Sequence, residues 1–165
     1  MRQIMVRYEH CLGCKSCELA CTVAHSTSKI LYETVLSRER PSKRVFVESD
    51  GLQHFPLQCR QCQDQPCVHA CMAGAMHVDT TTGLIQVESS RCVGCWMCVM
   101  TCPFGVIIQT PAQKAAKCDQ CLEQDYDPAC VKACPTKAIE YVEVNEFAKS
   151  GRKHYLTWFI HSKEG

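Results

Sequence analysis

Sixteen cysteines fall into four groups along 165 residues, and no other residue type in the chain occurs in a pattern so close to a ligand set. Cys11, Cys14, Cys17 and Cys21 stand in CLGCKSCELAC with two, two and three residues between them, and Cys92, Cys95, Cys98 and Cys102 repeat that spacing in CVGCWMCVMTC. Cys59, Cys62, Cys67 and Cys71 are separated by two, four and three residues, and Cys118, Cys121, Cys130 and Cys134 by two, eight and three. Every group opens C-x2-C and closes C-x3-C; only the middle loop changes. Such repetition marks one local device used four times.

The device suits iron–sulfur chemistry. A C-x2-C-x2-C turn gathers three thiolates on one face of a cubic cluster and exposes several backbone amides around it, while the cysteine after the x3 gap, expected at the start of a helix, reaches a neighbouring cluster. Cys102-Pro103 and Cys134-Pro135 complete the C-P ending of that motif, and the fixed dihedral and missing amide of proline help the chain turn away. Sixteen thiolates match four [4Fe–4S] clusters. Structural zinc prefers two knuckles held apart by a longer spacer, and groups one and three are too tight for that. Disulfides need distant partners and an oxidising compartment. A thioredoxin-type C-x-x-C pair would not be built eight times over.

Other chemistry finds little support. With the ligand count complete, His10 and His69 read as packing or hydrogen-bonding residues, and His25, His54, His77, His154 and His161 form no i, i+4 metal pair. No catalytic residue is expected, and no Gly-rich dinucleotide fingerprint is present. The formal charge of +1 treats cysteines as neutral; roughly −2 per cluster would turn it to about −7, internally anionic and unsuited to nucleic acid. No signal-peptide pattern, twin arginine or membrane-length apolar run occurs, so a cytoplasmic protein without a direct membrane span is expected, unless a partner's signal exports it. Sixteen of the residues behind the 46% apolar fraction are cysteines, so these must also supply core.

The intervening segments must position the turns. RQIMVRY reads as a strand with Ile4 and Val6 on one face, and KRVFVES, residues 43–49, as another. A helix is expected within residues 18–31, then a turn near Arg40-Pro41, with SRERPSKR as solvated surface. MHVDTTTGLIQVE, residues 76–88, reads as a hairpin turning at Gly83, and the apolar runs after Cys102 and Cys134 as short strands. Residues 145–165 lack cysteine and carry Tyr155, Trp158 and Phe159; they read as a strand and tail over the domain, or as an interface to a partner or second copy. Trp96 reads as packing and solvent exclusion, with a role at an electron exit as the alternative.

These four groups make residues 3–142 resemble the four-cluster iron–sulfur subunits of the dimethyl-sulfoxide-reductase and formate-dehydrogenase type, and particularly the short proteins that accompany carbon monoxide dehydrogenase, hydrogenase or tungsten aldehyde enzymes. The resemblance implies an α+β fold of two nested bacterial-ferredoxin-like units, each holding a pair of [4Fe–4S] clusters. The outer unit would comprise residues 1–58 and 103–144, the inserted one 59–102, followed by the extension 145–165. It also implies the ligand sets: Cys11, Cys14, Cys17 with Cys134; Cys118, Cys121, Cys130 with Cys21; Cys59, Cys62, Cys67 with Cys102; and Cys92, Cys95, Cys98 with Cys71. Thr22 and Met72 depart from the proline expected after the fourth cysteine. The implied function is single-electron relay between a catalytic oxidoreductase subunit (carbon monoxide dehydrogenase, a molybdenum or tungsten formate or aldehyde enzyme, or hydrogenase) and a second redox protein. A freestanding polyferredoxin shuttle and a self-assembling conduit are the alternatives.

Overall fold

The computed structural model describes residues 2–38 and 41–161. Secondary structure is short and subordinate to the cysteine turns. Four separate two-stranded antiparallel ladders form: β1 (Arg2–Val6) with β8 (Ile139–Glu143), β2 (Val45–Ser49) with β3 (His54–Gln58), β4 (Met76–Val78) with β5 (Ile85–Val87), and β6 (Ile108–Gln109) with β7 (Ala115–Ala116). The helices are α1 (Ser16–Ala24), α2 (Leu31–Leu36), α3 (Pro66–His69), α4 (Met97–Thr101), α5 (Ala129–Lys132) and α6 (Val144–His161).

The third cysteine of each group, rather than the fourth, opens a helix: Cys17 lies in the first turn of α1, Cys67 of α3, Cys98 of α4 and Cys130 of α5. The expected placement of the fourth at a helix start is therefore corrected. Cys102 ends α4 in an extended conformation (φ −73°, ψ 113°), as a residue before proline must. Cys21, followed by Thr22 instead of proline, stays inside α1, which runs on to Ala24. Before α1, α3 and α4 the chain enters through left-handed residues, Lys15, Gln65 and Trp96. In that conformation the third thiol can follow the turn at once.

Two apolar clusters organise the molecule. The outer one joins Ile4, Val45, Val47 and Ile139 to Cys17, Cys21 and Cys130. The inner one joins Met76, Ile85, Ile107 and Ala115 to Cys67 and Cys98. The β1–β8 ladder, with Ile4 opposite Tyr141 and Val6 opposite Ile139, ties the start of the chain to the segment after the last cysteine. Inner packing continues past Cys102, because Ile107 and Ala115, flanking the β6–β7 turn, face the inner cysteines.

Several expectations change. The first helix stops at Ala24, short of residue 31, because the Ser26 hydroxyl donates to the Val23 carbonyl at 2.7 Å and accepts from the Lys29 amide at 2.9 Å, competing with helix continuation. The turn at Arg40 lies outside the described residues. Part of SRERPSKR faces inward: Lys43 pairs with Glu18 at 2.7 Å, and Arg44 pairs with Asp119. The segment read as a strand and tail is the 18-residue helix α6, because Val144, Phe147, Ala148, Gly151, Tyr155 and Trp158 recur every three or four positions. Its first half packs on β1 and β8, where Arg7 donates to Ser150 at 2.6 Å and lies over the Phe147 ring at 4.4 Å. The later turns, with Tyr155, Trp158 and Phe159, are exposed. Among the described residues no helix is long and apolar enough to cross a membrane.

Candidate metal centre

The fold brings cysteines from different groups to the same cavities. One is lined by Cys11, Cys14, Cys17 and Cys134. Another is lined by Cys59, Cys62, Cys67 and Cys102. A third is lined by Cys71, Cys92, Cys95 and Cys98. In each, three thiols come from one turn and the fourth from another group. The remaining four gather deeper: a thiolate at Cys130 would be opposed by Cys118, Cys21 and Cys121. All sixteen are free thiols.

The surroundings disfavour bare thiolates, so an ionised donor set here would need metal to balance it. Burial pushes the Cys17 and Cys67 thiols up to about 11 and Cys118 to about 12, with Cys130 higher still. Thiolates at such depth need a bound cation, and binding must expel the protons. Backbone amides are already aimed at sulfur: Arg44 at Cys21 (3.3 Å), Met76 at Cys71 (3.3 Å), Ala115 at Cys92 (3.4 Å) and Ala138 at Cys134 (3.2 Å). Three of these four serve the last cysteine of a group, so the crossing ligand is stabilised where it lands. At Cys134 burial is outweighed by hydrogen bonds from the Ile139 backbone, the Thr136 side chain and the Ala138 backbone, which draw it below an ordinary thiol, and Cys14 is drawn down because Ser16 hydrogen-bonds it. Among the described residues no three His, Cys, Asp or Glu side chains close on one point as ligands of a single ion would. The thiols instead ring shared spaces between turns, and an all-cysteine donor set with amide hydrogen bonds to sulfur fits [4Fe–4S] clusters.

The four sets adjoin in turn: Cys130 lies near enough to Cys17 of the first cavity, and Cys118 to Cys59 of the second, for their charges to interact, and the second and third cavities exchange Cys102 and Cys71. Cys14 and Cys95, at the two ends, are exposed. Exposed Val93 and Met97 line the Cys95 cavity, and exposed Leu12 lines the Cys14 cavity. Trp96 is half-buried, lines the Cys95 cavity and is held left-handed at φ 63°. It shields the cavity wall next to that end.

Sequence reasoning missed a polar support behind the set of Cys21, Cys118, Cys121 and Cys130. His25 donates from Nδ1 to the Cys21 carbonyl (2.8 Å) and from Nε2 to the Asp119 carboxylate (3.3 Å), and Arg44 also pairs with Asp119. Burial disfavours the charged His25 ring, but Asp119 and Cys21 outweigh it and lift the group to about 9. For Asp119 burial is likewise outweighed by His25 and Arg44, which hold its carboxyl well below the usual carboxylate range. The partners are 94 and 75 residues apart, so no local pattern announces them. His10 and His69 are exposed, away from any ligand role.

The 4Fe-4S dicluster domain family matches residues 51–144. An iron-sulfur protein of Rhodospirillum rubrum is 40% identical over 155 residues, covering 84% of this chain and 80% of its own length. The electron transport protein HydN of Escherichia coli (strain K12) is 33% identical over 165 residues, covering 88% of this chain and 90% of its own. The thiosulfate reductase electron transfer subunit PhsB of Salmonella typhi is 34% identical over 146 residues, covering 84% and 73%.

Proposed function

This chain belongs to the 4Fe-4S dicluster domain family, and on that premise we propose that it is the electron-transfer subunit of an oxidoreductase, relaying single electrons through four [4Fe–4S] clusters. The carrying observation is the exchange of the fourth cysteine between groups at each cavity. Cys11, Cys14, Cys17 and Cys134 would hold one cluster; Cys21, Cys118, Cys121 and Cys130 the next; Cys59, Cys62, Cys67 and Cys102 the third; and Cys71, Cys92, Cys95 and Cys98 the fourth. The two apolar clusters support two nested ferredoxin-like units, with the inserted one running from residue 59 to about Ala115.

When bound, each cluster supplies one-electron redox capacity. The chain fixes the order of the sets, excludes water with apolar residues and directs amides at sulfur, which sets how readily negative charge is accepted. Exposed ends at Cys14 and Cys95 suit two partners, a catalytic subunit and a second redox protein. The resemblance points to carbon monoxide dehydrogenase, a molybdenum or tungsten enzyme, or hydrogenase as the catalytic class, and thiols kept free for metal suit the reducing cytoplasm. Anaerobically purified protein is expected to carry about sixteen iron and sixteen sulfide per chain. Reproducible values near half that would sink the four-cluster reading, and native affinity purification identifies the catalytic partner.

A further inference from the structure

Lys117 is 3% exposed and immediately precedes Cys118. A lysine so placed ordinarily extends its ammonium to water or to a carboxylate. This one donates to the Cys118 carbonyl at 3.1 Å, and Gln61, from the turn between Cys59 and Cys62, donates to the same oxygen at 3.3 Å. The ammonium is thereby held where the Cys118 set meets the Cys59 set. The ion pairs among the described residues engage Arg7, His25, Lys43, Arg44, Arg91 and Lys132, and Lys117 takes part in none of them.

A buried cation needs nearby negative charge. Thiolate sets on both sides supply it here, and the field of Lys117 opposes the effect of burial at Cys67, in the second cavity. We propose that Lys117 is a potential-setting residue, a fixed positive charge that raises the reduction potentials of the two middle centres, those at Cys21, Cys118, Cys121 and Cys130 and at Cys59, Cys62, Cys67 and Cys102. Burial makes the Cys118 set the hardest place to add an electron, and a cation where it meets the Cys59 set lowers that barrier in the middle of the relay. The proposal rests on the four-cluster reading above.

Lys117→Met removes the charge at similar length, Lys117→Gln removes it while keeping polarity, and Lys117→Arg retains it. Full-length variants are titrated potentiometrically with electron paramagnetic resonance detection, after iron and sulfide counts. The expected result is that two of the four centres in the Met and Gln variants become about tenfold harder to reduce at a fixed poise, about 59 mV for one electron, while Lys117→Arg stays at the wild-type value. Fully loaded Met and Gln variants with wild-type potentials would overturn the proposal. So would loss of iron from both, which would make Lys117 a folding residue. Failure of the four-cluster reading shows separately, in the wild-type iron count.

Discussion

Cys102 closes α4 only four residues after Cys98, yet its thiol lines the cavity of Cys59, Cys62 and Cys67. Cys102→Ser is therefore expected to impair the cluster at that second group and to spare the one at Cys92, Cys95 and Cys98. Mössbauer or paramagnetic resonance spectra showing loss of the latter alone would refute the crossing. The cysteine groups are legible from spacing because each is a local object, with three thiols within seven positions in groups one and three, nine in group two and thirteen in group four. The polar contacts beside them are not legible, because His25 with Asp119 and Gln61 with Cys118 meet across 94 and 57 positions. Nothing in the local pattern around Lys117 announces its burial.

At the level of elements, the hairpin of residues 76–88 and the strands β1, β2 and β8 follow their alternating patterns, whereas β3 does not. His54–Gln58 contains Pro56, which argues against a strand; it is tolerated because the ladder has only two strands and Pro56 can sit opposite Val47 without a further neighbour to bond. For α6 the aromatic residues drew attention from the three-and-four spacing that makes a helix. Its attachment is narrow, centred on Arg7, which bonds Ser150, stacks on Phe147 and pairs with Glu140 at 3.1 Å. Arg7→Ala is expected to weaken α6 docking by about 1.5 kcal/mol, seen as roughly tenfold faster amide exchange in residues 147–151 with iron content unchanged. Unchanged exchange there would show that the aromatic stripe, not Arg7, holds the helix.

For the molecule as a whole, cysteines stand where a conventional protein would put leucine. Three of the seven buried residues of the outer core and two of the six of the inner core are cysteine. Removing iron leaves these cavities without their filling, and the four ladders have two strands each, too few to persist alone. Anaerobic chelation should collapse far-ultraviolet circular dichroism in step with iron loss; retention of the folded signal in iron-free protein would contradict this account. The cavity shared by Cys17 and Cys134 also imposes an order on synthesis. At about 5–20 residues per second the ribosome needs roughly 6 to 23 s to pass from one to the other. Cys92, Cys95, Cys98 and Cys71 have all emerged before then, so the insert can mature while the first turn is still waiting. The oldest part of the nascent chain is thus the last to be finished, and cells short of iron should accumulate chains loaded in the middle and open at the start.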